Sequence, residues 1–344
     1  MSMRTHALLS RVFALASCGA LITGLAFVSV GPASAAIPSM FEVEGVSNAD
    51  SSCTVTAGSP SVINGPKVLH HGRAKGAVNL DTTWTSGTNS SDITTVAGHF
   101  SSHIDVTAPH DVLKSATLTG TGTVRVSRAL GSSSTCNVSA TLASVSQFET
   151  HQKKAGWFYV TRDSSKGSVA EVLVSNEVTH EPAVLEIYQG GSSSVTVRGF
   201  VQRGTYVNEL VAGIQAGATQ ILLKNGGSVS RTSLKNVLTE SFHNAGSAFA
   251  KAKGSGTKFV RFPGSLSCSH HSATLTWKSG ASKVATGSFL VNGKKMASVS
   301  GPKAGHHVVL RHLGRTADNT ISAQLSLKGG GRASATDLFV PCHD

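Results

Sequence analysis

The side chains in this 344-residue chain best suited to chemistry are its histidines and carboxylates. His99, His103 and Asp105 share one parity of an alternating segment, and Phe100 and Ile104 share the other, together with Val96 and Val106. An extended strand would therefore put two imidazoles and a carboxylate on one face, with His110 and Asp111 just beyond. Such donors suit zinc. Positions i and i+4 of a strand lie about 13 Å apart, however, too far to share an ion without a bulge or a partner strand. A solvated polar face is expected instead. The doublets His70-His71, His270-His271 and His306-His307 put adjacent rings on opposite faces and read as turn-adjacent surface residues.

Glu171, Glu177, Glu181 and Glu186 form the densest acidic group. Glycoside hydrolysis needs two carboxyl groups at a set separation, and this spacing specifies no pair, so the group reads as strand-edge solubility. Serine catalysis needs an activated hydroxyl, but there is no G-x-S-x-G elbow; Gly131-Ser-Ser-Ser134 and Gly191-Ser-Ser-Ser194 read as turns. His180-Glu181 lacks the second histidine of a zincin helix and runs into Pro182. Gly120-Thr-Gly122 precedes no helix, so it is no phosphate loop. No catalytic residue, metal ligand or cofactor is assigned. Among aromatic residues, Trp157 and Tyr159 share a strand face and are the best candidates for a saccharide platform, with Trp84 second. The competing role is core packing, which a chain with only 6% aromatic residues needs.

These side chains must be positioned by strands. Ser, Thr, Gly and Val dominate, and period-two alternation recurs between Gly and Ser turns. The fold class expected is all-β: two or three β-sandwich domains of jelly-roll or immunoglobulin-like type after a cleaved signal peptide. Residues 233–250 resist this reading: Leu234, Val237, Leu238, Ser241, Phe242, Ala245 and Phe249 follow helical spacing, but Leu234, Leu238 and Phe242 also share strand parity, so a closing strand is expected, with a short helix as the alternative.

The first residues carry Arg4 and Arg11, then an uncharged stretch from Val12 to Val30, then Ala33-Ser34-Ala35, which predicts export and cleavage after Ala35. Leu15-Ala16-Ser17-Cys18 resembles a lipobox, which would make Cys18 an alternative lipidation site. Four cysteines remain beyond the signal, and an oxidising compartment suggests two disulfides. Of three pairings, Cys53–Cys136 and Cys268–Cys342 keep each bridge within its own half. The organisation expected is a signal peptide over 1–35, an N-terminal β-sandwich region over 36–247 with a possible sub-boundary near 151–156, a Gly-rich linker over 248–257, and a second sandwich over 258–344.

The last 90 residues resemble bacterial immunoglobulin-like or fibronectin type III-like domains. The likeness is carried by Ala273-Thr-Leu-Thr-Trp277, by Phe289-Leu-Val-Asn-Gly-Lys-Lys-Met296 with its Asn-Gly hairpin turn, and by the alternating segments 308–310, 320–325 and 337–340. It implies a spacer or adhesive module and no activity. Cys342 at the chain end departs from the antibody pattern, so that disulfide geometry is not carried over. Residues 157–216 resemble jelly-roll modules appended to secreted bacterial peptidases, through Trp157-Phe-Tyr-Val160, Val184-Leu-Glu-Ile-Tyr188 and Arg203-Gly-Thr-Tyr206.

Formal charge is +12, and +10 once a signal with two arginines is removed. A basic exported protein favours anionic partners. The function expected is a secreted or cell-surface, non-catalytic binding or structural protein for a polysaccharide, anionic polymer or surface protein. It would not span the membrane or act on nucleic acid. A secreted hydrolase acting on polysaccharide or wall material and a basic module for anionic polymer are the alternatives.

Overall fold

The computed structural model describes residues 39–69, 72–129, 136–165, 168–190, 193–218 and 227–343. The segment read as a signal peptide, Cys18, the His70-His71 doublet and Ser132 to Ser134 lie outside them. The fold is all-β, and the chain gathers into two compact units. The larger takes the described residues up to Gln152, Tyr159–Gly199 and Gly204–Ser241; the smaller takes Lys153–Phe158, Phe200–Arg203 and the chain from Phe242 onward.

The larger unit is built on β1 (Met40–Ala49), β2 (Cys53–Gly58), β3 (Ser61–Val68), β4 (Arg73–Ser86), β5 (Asn89–Thr107), β6 (Ser115–Arg128), β7 (Val138–Gln152), β8 (Gly156–Ser164), β9 (Ser168–Asn176), β10 (Pro182–Gly190), β11 (Ser193–Val201), β12 (Gly204–Ala218) and β13 (Gly227–Asn244), except that the start of β8 and the ends of β11 and β13 belong to the smaller unit. They form a six-stranded sheet, β10-β9-β12-β7-β1-β3, and a seven-stranded sheet, β11-β8-β13-β6-β5-β4-β2. Alternation decides which side chains meet between them. Phe41 and Val43, Val96 and Phe100, Leu118, Leu142, Val172 and Leu210 all point inward and are buried. Small residues let the sheets and strands close up. A Cβ on Gly120 would sit 2.4 Å from Cζ of Phe100, so only glycine admits that ring.

Polar side chains stitch the interior. The Ser102 hydroxyl donates to the Thr119 carbonyl at 2.8 Å and lies 2.7 Å from Ser144 Oγ. Asn236 Nδ2 donates to the carbonyls of Val169 and Gly213, each at 3.1 Å. Buried donors paired in this way cost little and fix the register of one sheet over the other.

Residues 227–244 form a strand, β13, not a helix. Its inward positions include Asn236, Leu238, Glu240 and Phe242, all buried. Two polar residues on the inward row break the apolar alternation that marks a strand. Residues 157–216 close no module of their own: β9, β10 and β12 belong to one sheet of the larger sandwich and β8 and β11 to the other.

The smaller unit holds β14 (Val260–Arg261), β15 (Ala273–Trp277), β16 (Val284–Val291), β17 (Lys294–Ser300), β18 (His307–Leu310), β19 (Asn319–Leu327) and β20 (Arg332–Phe339). They pair as β14-β15-β18 and β17-β16-β19-β20, a three-plus-four sandwich of immunoglobulin or fibronectin type III character. Trp277 is 2% exposed and meets Phe289 edge-on at 5.5 Å, among Leu275, Leu310, Ile321, Leu325 and Phe339. Asn292 and Gly293 both have positive φ, 49° and 81°, as the hairpin turn between β16 and β17 requires. The stretch read as a linker lies along β20: the Phe249 amide donates to the Leu338 carbonyl at 2.9 Å, and Lys253 and Thr336 exchange two backbone bonds at 2.9 Å. It covers what would otherwise be an open sheet edge.

Each unit carries one disulfide. Cys53 and Cys136, 83 residues apart, are joined with Cα atoms 5.5 Å apart. Cys268 and Cys342, 74 residues apart, are joined at 5.3 Å. The second bridge packs against Gly246, whose φ is 73°; a Cβ there would lie 2.7 Å from Cys268 Sγ, which leaves no room for a side chain.

Candidate functional site

The histidine strand is assembled from β5 and its neighbours. Across from His99, His103 and Asp105 stand Asn79, Lys75 and Arg73 of β4, and Thr123, Thr119 and Thr117 of β6. His99 Nδ1 lies 2.7 Å from Asn79 Oδ1, and Asp105 pairs with Arg73. Neighbouring strands thus supply cations and hydroxyls, and no three His, Cys, Asp or Glu side chains gather around a common point among the described residues. His110, Asp111, His180 and His271 sit at turns with positive φ.

Trp157, Tyr159 and Trp84 are 7%, 7% and 8% exposed, so the structure corrects the saccharide-platform reading. The Trp157 ring is used inside the smaller unit: its Nε1 donates to the Pro341 carbonyl at 3.0 Å, and its ring centre lies 5.2 Å from that of Phe200 and 5.8 Å from that of His343. Phe200 and His343 stack at 3.9 Å. Trp84 points inward from β4, with Nε1 3.3 Å from the hydroxyls of Ser47 and Thr82. Aromatic rings are scarce, and the core takes them.

The carboxylates are arranged differently from their sequence grouping. Register puts Glu171 of β9 in one row with Val211, Val145 and Glu42, while Glu44 shares a row with Ala143, Gly213 and Val169, and Glu209 a row with Gln147 and Leu173. All four lie on the face of the six-stranded sheet turned away from the seven-stranded one. Burial raises the Glu171 carboxyl to about 8, with the nearby Glu209 charge adding to it; burial raises Glu209 to about 7. Burial and Glu42 raise Glu44 to about 7. Glu177 and Glu181 belong to the turn after β9, and the Glu186 side chain is outside the described residues. A mixed pair such as Glu171 and Glu209 could in principle exchange a proton near neutrality. At 3% and 6% exposed, however, neither reaches a polymer substrate. The recess bordered by Arg162, Glu171 and Leu238 has about 0 Å³ of room for a water-sized sphere, against the ~300 Å³ of a small-ligand site.

Charge separates the two units. The smaller unit, Lys153–Phe158 and Phe200–Arg203 with residues 242–344, holds sixteen Lys and Arg against three Asp, a net +13, whereas the rest of residues 36–241 hold twelve Lys and Arg against fifteen Asp and Glu, a net −3. The basic character of the chain is therefore a property of the smaller sandwich. Charge counted by segment reveals this in the sequence; the lysines are easily missed because they are dispersed along it.

No protein family matches the chain by sequence, and neither does any curated protein. Among solved structures, the adhesin domain of Epf from Streptococcus pyogenes is 10% identical, with 72% of this chain and 92% of that one covered, at a TM-score of 0.19. The central fibronectin-III array of RIM-binding protein is 11% identical over 90% and 98% of the two chains, with a TM-score of 0.18. A GH2 beta-galacturonidase from Eisenbergiella tayi is 12% identical over 57% and 35%, with a TM-score of 0.17. Likeness at these scores carries no argument about this chain, whose architecture rests on its own strand pairing.

Proposed function

We propose that the chain is an exported, non-catalytic binding and structural protein, with the larger, slightly acidic sandwich as a scaffold and the smaller, basic one as the contact module for an extracellular partner. The observation that carries this reading is the pair of disulfides, one closing each unit, which an oxidising compartment sustains. The signal-like first 35 residues support the same reading from independent grounds. The concentration of positive charge in one unit supports a division of labour between the two.

Fractionating cells that produce the full chain tests it. The protein is expected in the medium or at the cell surface, with all four cysteines beyond residue 35 resistant to alkylation until reduced. Recovery of a reduced protein from the cytoplasm would overturn the reading.

A further inference from the structure

The three-stranded sheet of the smaller unit turns one face away from the core. Arg261 of β14, Thr276 of β15 and His307 of β18 form a row across it, with Thr274 and Val309 in the next row. Val260, Leu275, Trp277 and Val308 alternate with them and point into the core. The Trp277 end of the same sheet collects further cations. The Lys278 amide donates to the Phe259 carbonyl at 2.8 Å, which sets Lys278 beside the chain carrying Lys258. The Gly305 amide donates to the Trp277 carbonyl at 2.9 Å and the His306 amide to the Lys303 carbonyl at 3.3 Å, which brings the turn with Lys303 to that end. Lys258, Arg261, Lys278, Lys303, His306 and His307 are all exposed.

Three of these head groups are already held. Lys278 Nζ donates to the Thr257 carbonyl at 2.7 Å, the Lys258 ammonium sits 5.1 Å from the centre of the Phe259 ring, and His307 Nδ1 lies 3.1 Å from Thr276 Oγ1. The two ammonium groups keep further N–H donors for a ligand. No carboxylate among the described residues shares the face. Of the unit's described acids, Asp337 is on β20 of the other sheet, at an inward position, and Asp318 is in the loop before β19. No exposed aromatic ring among the described residues stands on the face either, since Phe259 and Trp277 are buried. A ligand here is held by charge and N–H donors, without the stacking that sugars and bases exploit. Neighbouring strands are about 4.8 Å apart, so the row from Arg261 to His307 spans about 10 Å, a distance that favours an extended chain over a single ion.

We propose that this face, with the turns at its Trp277 end, binds a linear phosphate-bearing polymer through Lys258, Arg261, Lys278 and Lys303, with His307 at the margin. Ammonium and guanidinium groups meet phosphate oxygens in charge-assisted bonds. The proposal rests on the reading of the chain as an exported binding protein and names the ligand class of its smaller unit.

The test uses the full secreted, oxidised protein and medium-chain inorganic polyphosphate, with polygalacturonate as a carboxylate-only comparison. Polyphosphate is expected to bind more tightly than polygalacturonate, and to weaken at least about tenfold between roughly 50 and 300 mM salt, as counterion release requires. R261E/K278E is expected to weaken polyphosphate binding at least about tenfold. K294E/K295E changes charge equally, but on exposed positions of β17 in the other sheet, and is expected to stay within about threefold of the parent. Should R261E/K278E fail to fold, R261Q/K303Q replaces it, with the same expectation. Equal weakening by both charge-reversal pairs would reduce the effect to net charge and overturn the site. Equal binding of polygalacturonate would overturn the phosphate assignment. No binding by a protein recovered outside the cell with both bridges intact would overturn this proposal and leave the function reading standing.

Discussion

Glu240 shows how a single residue can set the pH behaviour of a sandwich. It points inward from β13, is fully buried, and neither carboxyl oxygen has a hydrogen-bond partner among the described residues. Burial raises its pKa from 4.5 to about 8. The folded state therefore binds a proton that the unfolded state has lost by neutral pH. Its contribution to stability is full below about pH 4.5 and is lost as pH rises through about 8. Thermal melts should fall from about pH 5 to about pH 9, by a few kcal/mol of stability from this group alone, and E240Q should flatten that slope. A slope unchanged in E240Q would assign the effect elsewhere. Trp277 offers a second test at this scale. W277A empties the centre of the smaller core and should cost about 3–5 kcal/mol in a denaturant titration, with the larger unit's transition unmoved. None of the consequence at Glu240 is legible in the sequence, because an inward glutamate looks like any polar residue until the opposite sheet is in place.

At the scale of elements, the sequence is readable where alternation is clean. β5 carries its apolar residues on one parity through Val96, Phe100 and Ile104, and those residues are core. The Asn292-Gly293 turn is equally plain, since few residues other than glycine and asparagine accept its backbone angles. G293V should therefore cost about 1–2 kcal/mol, visible as a lowered midpoint of the smaller unit's unfolding. β13 is ambiguous because Asn236 and Glu240 occupy inward places, and for Asn236 the reason lies on other strands, where it bonds to carbonyls of β9 and β12. The candidate binding face is illegible for a related reason. Lys258, Lys278 and Lys303 are about twenty residues apart in sequence, and only the pairing around β15 gathers them. Trp157 and Tyr159 share a parity that suggests an exposed platform, but the parity of one strand does not reveal what packs over it.

At the scale of the whole molecule, a slightly acidic sandwich of thirteen strands and a basic one of seven, counted among the described residues, are each closed by a bridge of their own. The bridges span 83 and 74 residues, and loops of that length make each worth about 4 kcal/mol on the chain-entropy argument. C268S/C342S should lower the smaller unit's unfolding free energy by about that amount and leave the larger unit's transition in place, as read by urea titration. Whether the chain is exported and stapled unit by unit is decided by the intact mass of the secreted protein, before and after reduction and alkylation, with a non-reducing peptide map. The expected result is a chain beginning at Ala36 with two bridges, Cys53–Cys136 and Cys268–Cys342. Free thiols in the secreted protein, or a bridge joining one unit to the other, would contradict it.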